Sequence, residues 1–73
     1  MNASNFGLPA MYRILKKAGA ERVSDESAKE LGRILEDIGV EIAKNAIEMS
    51  KHANRKTVRG EDVKLAAKAS GKI

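Results

Sequence analysis

The chain has 73 residues, no cysteine, one Phe, one Tyr, no Trp and a net charge of +4. That length allows one domain with a small core, and the missing cysteine excludes disulfides and thiolate metal sites. With 3% aromatic residues and 33% charged ones, the core must be aliphatic, and the wealth of Ala, Glu, Lys, Leu and Ile favours helices.

The opening "MNASNFG" has neither the basic nor the apolar region of a signal peptide, and no apolar run approaches membrane-spanning length. A soluble cytoplasmic protein is expected. Residues 1–7 read as a flexible N-terminal segment, 8–69 as the folded domain and 70–73 as a short C-terminal tail.

The first helix is predicted from about Pro9 to Ala18. Proline suits a first turn, where its missing N–H costs nothing. Met11, Ile14, Leu15 and Ala18 recur at helical spacing, and Gly19 is placed to end the helix in a left-handed conformation. "GAERVS" is the first loop, with Val23 suited to extended backbone. Ser24 is a good N-cap, and Asp25 and Glu26 fall in the first turn, where carboxylates favour the positive helix end.

From Asp25 the pattern runs unbroken to about His52. One apolar line comprises Ala28, Leu31, Leu35, Ile38, Ile42 and Met49, with Asn45 filling the missing place as a partly exposed residue. A second line adds Ile34, Ala43, Ala46 and Ile47. The combined stripe is wider than a coiled-coil seam requires. Gly32 and Gly39 weaken the helix by up to about 1 kcal/mol each relative to Ala and permit close approach of another helix. Asn54 can adopt the left-handed C-terminal cap, and "RKTV" forms the second loop. Glu61 and Asp62 open a third helix, with Val63, Leu65, Ala66 and Ala69 as its apolar side.

Two short helices cannot cover a long one that is apolar over most of its length. Each Ile or Leu left in water forfeits about 1.5–3 kcal/mol. The chain is therefore expected to fold by burying the stripe against a second copy.

Charge is segregated along the chain. Arg13, Lys16, Lys17 and Arg22 face only Glu21 in residues 13–24, acids dominate 25–50, and Lys51, Arg55, Lys56 and Arg59 stand in 51–60 without an acid. Such segregation favours polyanion binding by one face; the plain alternative is ordinary solvated surface. No residue set resembles a catalytic or metal site, since there is one His, no Cys, and carboxylates are scattered along helices. Neither an enzyme nor a cofactor is expected.

"RILKKAGAERVSDES", "LGRILEDIGVEIAKNAIEMSKHA" and "RKTVRGEDVKLA" together resemble an archaeal-type histone over residues 8–69. The resemblance implies an all-α histone fold (short helix, long central helix, short helix) as a head-to-tail handshake homodimer. The first loop of one chain would lie beside the second loop of the other, and dimers could join into tetramers or stacks. It implies an architectural protein that wraps double-stranded DNA with little sequence specificity, in association with the nucleoid. Arg22 would enter the minor groove, and Lys56 and Thr57 would contact phosphate. Arg13, beside paired helix N-termini, would add charge, with Lys16 and Arg59 as further contacts. Arg55 and Asp62 would form a structural salt bridge, with Arg55 on DNA the alternative. Met49, His52 and Asp62 would join one dimer to another, and histidine's titration near neutrality would make that assembly pH-dependent. For Arg22 the competing reading is an ion pair with Glu21 or Asp25. For the whole chain it is a protein–protein module of a transcription regulator.

Some positions depart from the family pattern. Ala10 stands where a second proline is common, Val40 where a polar or basic group is common, and Asn54 replaces a usual glycine. Phe6 is expected to pack on the dimer. Ala67 and Ala69 give the last helix small side chains, so contacts between stacked dimers should be weak.

Overall fold

The computed structural model describes residues 7–71, so the expectations for residues 1–6, including the placing of Phe6, and for the last two residues of the tail lie outside the described residues. Three helices follow one another: α1 (Leu8–Lys17), α2 (Asp25–His52) and α3 (Gly60–Ala69). Among the described residues there is no strand. This is the expected short, long, short order. Helix α1 begins one residue early, at Leu8, because Gly7 serves as N-cap with φ 100° and its carbonyl accepts from Ala10 and Met11. Pro9 thus sits in the first turn.

Local chemistry fixes the boundaries. Helix α1 ends in a Schellman turn. The Gly19 N–H donates to the Lys16 carbonyl and the Ala20 N–H to the Leu15 carbonyl, each at 3.0 Å, with Gly19 at φ 114°. At the start of α2 the Ser27 N–H donates to Ser24 Oγ at 3.1 Å, and the Ser27 hydroxyl returns to the Ser24 carbonyl at 2.8 Å. Helix α2 ends as α1 does. Asn54, at φ 59°, donates to Lys51, and Arg55 donates to Ser50, both at 2.9 Å. Asparagine tolerates this left-handed position because its short polar side chain can bond locally.

The chain divides into two compact units, the first closing at Asp37 and the second opening at Ile38. In the first, Met11, Ala28 and Gly32 are buried, with Leu8, Tyr12, Leu15, Leu31 and Leu35 half-buried. In the second, Ala46, Ser50, Asp62, Ala66 and Ala67 are buried, and Ile38, Ile42 and Met49 half-buried. Of the two helix glycines, Gly32 is enclosed, whereas Gly39 is exposed and a Cβ there would meet nothing within 4 Å. Asn45 is exposed.

The third helix buries Ala66 of its expected apolar side and leaves the rest of that side exposed within one chain. Val63, Leu65 and Ala69 are exposed, Leu65 to 58%, while burial falls on Asp62, Ala66 and Ala67. Asp62 carries an ion pair inward, and the i, i+4 line it starts brings Ala66 with it. Ala67 is thereby covered within its own chain. Ile34, Val40 and Ile47 on α2 are likewise more than two-fifths exposed.

Candidate nucleic-acid interface

The loop after α2 is held by Arg55. Its guanidinium makes a two-pronged bond to Asp62, Nη1 to Oδ2 and Nη2 to Oδ1 at 2.9 Å each, and Nη1 also reaches the Thr57 carbonyl at 3.0 Å. Asp62 Oδ2 accepts the backbone N–H of Arg59 at 2.8 Å, which caps α3. The Arg55 hydrogen bonds, followed by that backbone donor, lower the Asp62 pKa from 3.8 to about 2, and the hydrogen bonding to Asp62 raises the pKa of Arg55. Arg55 is therefore committed to the protein, and its grip on Thr57 sets the path of the loop. On that loop Lys56 and Thr57 are exposed, and Lys56 has no ion-pair partner among the described residues.

Arg59 leads into α3 by its backbone, while its guanidinium lies 3.6 Å from Glu61 with both side chains largely in water. Such a pair is weak and can exchange partners. His52 is exposed in the last turn of α2, and Met49 is half-buried one turn earlier. Asp62, by contrast, is 5% exposed and already accepts three donors from its own chain.

The loop before α2 carries Arg22, which is exposed and free of carboxylate partners among the described residues. Asp25, the carboxylate that competes for it, accepts the Tyr12 phenol instead. Lys16 donates its ammonium to the Glu21 carbonyl at 2.5 Å, so it ties this loop to α1 as well as carrying charge. Arg13 and Lys17 line a shallow hollow on α1 with Ala10 and Ile14. The acidic stretch of α2 neutralises itself in part. Arg33 meets Glu30 at 2.5 Å and Asp37 at 3.3 Å, which raises the Arg33 pKa and lowers that of Glu30. Of the cations without an ion-pair partner among the described residues, Arg13, Lys16 and Lys17 lie on α1 and Arg22 and Lys56 on the two loops, while Lys29 and Lys44 lie on α2 and Lys64 and Lys68 on α3.

Nothing in the sequence pattern marks Tyr12. It lies 13 residues from Asp25, and no periodicity reveals a bond across an intervening turn. The N-capping role of Asp62 was legible as a first-turn acid; its burial was not.

Comparison with known proteins agrees with this anatomy. The family model described as "Histone-like transcription factor (CBF/NF-Y) and archaeal histone" matches residues 6–67. The chain is 54% identical over 57 residues to a chain of the archaeal histone HAN1 of Thermococcus zilligii, covering 78% of this chain and 85% of that one. It is 56% identical over 54 residues to probable archaeal histone 3 of Methanocaldococcus jannaschii, covering 74% and 81% respectively. With three helices in the required order and both loops inside the matched region, the chain belongs to the family of histone-like transcription factors and archaeal histones, and its fold is the histone fold.

Proposed function

We propose that this chain is an architectural protein of the nucleoid that acts as a homodimer and wraps duplex DNA through phosphate and minor-groove contacts, with little reading of base sequence. The observation that carries this reading is the coincidence of two features. One chain leaves Ile34, Val40, Ile47, Val63 and Leu65 more than two-fifths exposed, and it leaves cations unpaired on α1 and on both loops. A second copy clasped along α2 would remove apolar surface from water, at about 25 cal/mol per Å². The loops stand one before and one after a helix of 28 residues, which rises about 42 Å. A head-to-tail partner would set the first loop of one chain beside the second loop of the other. Arg22, Lys56 and Thr57 would then converge on one stretch of backbone.

Each residue has a distinct task in that grip. The Arg22 guanidinium is drawn into a narrow minor groove by its negative potential. Lys56 neutralises phosphate and releases counterions, and the Thr57 hydroxyl donates to a phosphate oxygen. Arg13, Lys16 and Arg59 add charge along the path. Flexible DNA should be preferred, because bending costs energy that depends on sequence. Dimers would join through Met49, His52 and an Asp62 already fixed and charged by Arg55. The alternative reading, a protein–protein module, leaves the unpaired cations of the loops without a task.

Nuclease digestion of the complex tests the proposal. Stepwise protected lengths are expected as dimers add along DNA; uniform digestion, as of naked DNA, would contradict wrapping.

A further inference from the structure

Tyr12 and Lys16 stand one helical turn apart on α1, and both reach from the helix into the segment that carries Arg22. The Tyr12 phenol donates to Asp25 Oδ1 and the Lys16 ammonium to the Glu21 carbonyl. The two anchor points bracket Arg22, one just before it in the chain and one at the first residue of α2. Arg22 itself is exposed and makes no ion pair among the described residues, although Asp25 lies only three positions away.

Asp25 is where a loop arginine would be expected to rest. An Arg22–Asp25 pair would withdraw the guanidinium from any ligand, and DNA would have to break it before binding. A neutral phenol prevents this without adding a charge of its own, because it fixes the carboxylate on the α1 side. We infer that Tyr12 is a positioning residue for the DNA grip: by holding Asp25 against α1, with Lys16 holding the other side of the loop, it keeps Arg22 unpaired and ready for the groove. This rests on the function proposed above. It adds a residue that touches no DNA itself, and it makes groove access depend on a contact inside the first compact unit.

The test is a set of full-length variants titrated with an end-labelled duplex of mixed sequence at about 0.1 M salt. Tyr12→Phe removes one oxygen and keeps the ring, and it should weaken binding roughly two- to fivefold, the span of an exposed ion pair. Adding Asp25→Asn should restore affinity, and by a larger factor than Asp25→Asn produces in the wild-type background. If Tyr12→Phe binds as wild type while Arg22→Ala weakens binding, the inference falls and the grip stands. If Tyr12→Phe and the double variant are equally weak, Tyr12 acts only through packing of α1, and the inference falls. If Arg22→Ala binds as tightly as wild type, Arg22 has no part in the grip and the inference falls, while DNA wrapping through the other cations is judged by nuclease protection. One measurement is independent of DNA. The chain has one Tyr and no Trp, so its ultraviolet emission reports Tyr12. A carboxylate acceptor quenches a phenol, so Asp25→Asn should brighten that emission; unchanged emission would show that the contact is not made in solution and would overturn the inference.

Discussion

The guanidinium of Arg55 and the carboxylate of Asp62 lie in a parallel, two-bond arrangement, each bond 2.9 Å, with the acid side chain 7% exposed and the arginine 21%. This pair joins three things at once. Asp62 caps α3 through the Arg59 N–H, Arg55 holds the Thr57 carbonyl, and together they fix the loop that bears Lys56. A planar fork matched to a planar carboxylate is a geometry that lysine cannot reproduce.

Replacing Asp62 should therefore cost more than one hydrogen bond. Asp62→Ala leaves Arg55 without its partner and α3 without its cap, and both losses act on the same loop. Thermal melts followed by circular dichroism should show Tm lowered by more than about 5 °C. Arg55→Lys should also destabilise, because a point charge restores neither the fork nor the bond to Thr57. A melt identical to wild type for Asp62→Ala would mean that the loop is held by other contacts.

Acid should reveal the same pair. The Asp62 pKa is lowered from 3.8 to about 2 by the Arg55 hydrogen bonds and then by the Arg59 N–H. A depressed carboxylate pKa in the fold gives stability that is fully present above the unfolded value and lost as pH falls through the folded one. The Asp62 share of stability should be complete at pH 5 and disappear between about pH 4 and pH 2. In Asp62→Asn that share is absent at every pH, so its stability should fall less steeply over the same window. Parallel curves for the two proteins would contradict the assignment.

Dimerisation makes a prediction that needs no mutation. If folding and association are one event, the melting temperature depends on protein concentration. Each tenfold dilution should lower Tm by about 3–6 °C, and sedimentation at micromolar concentration should give the mass of two chains. A concentration-independent Tm with a single-chain mass would leave Leu65 and Val40 permanently in water and remove the basis for pairing the loops.

How much was legible depended on the range of each interaction. Ser24, Gly19 and Asn54 announced themselves because caps are set by neighbours within a turn. The extent of α2 followed from apolar spacing alone. The buried side of α3 did not, since spacing shows that Val63 and Leu65 are apolar without showing what covers them; within one chain nothing does. Tyr12 and Asp25 were opaque for a related reason. Their contact depends on how the Schellman turn at Gly19 aims the next helix, and that is a property of backbone angles rather than of residue type. Free and paired cations could not be told apart either. Lys56 and Arg59 look alike in sequence, yet Arg59 has Glu61 within 3.6 Å and Lys56 has no such neighbour among the described residues.

The grip on DNA should be electrostatic in a measurable way. Among the cations proposed for the grip, Arg13, Lys16, Arg22 and Lys56 are the four without a carboxylate partner among the described residues, and a dimer would present two sets. If all of them displace counterions, the logarithm of affinity should fall against the logarithm of salt with a slope of about −7. Lys56→Glu removes one contact per chain and adds a repulsive charge beside phosphate. It should weaken binding uniformly across DNA sequences and make the slope shallower by about two. The fold should not suffer, because Lys56 is exposed and engages no acid among the described residues, so Tm should stay close to wild type. The two readings of the family part at this point. A protein–protein module has no reason to lose DNA retention when one loop lysine is reversed, whereas a DNA-wrapping dimer must. Salt-insensitive binding, or full retention by Lys56→Glu, would show that the loop cations serve another purpose.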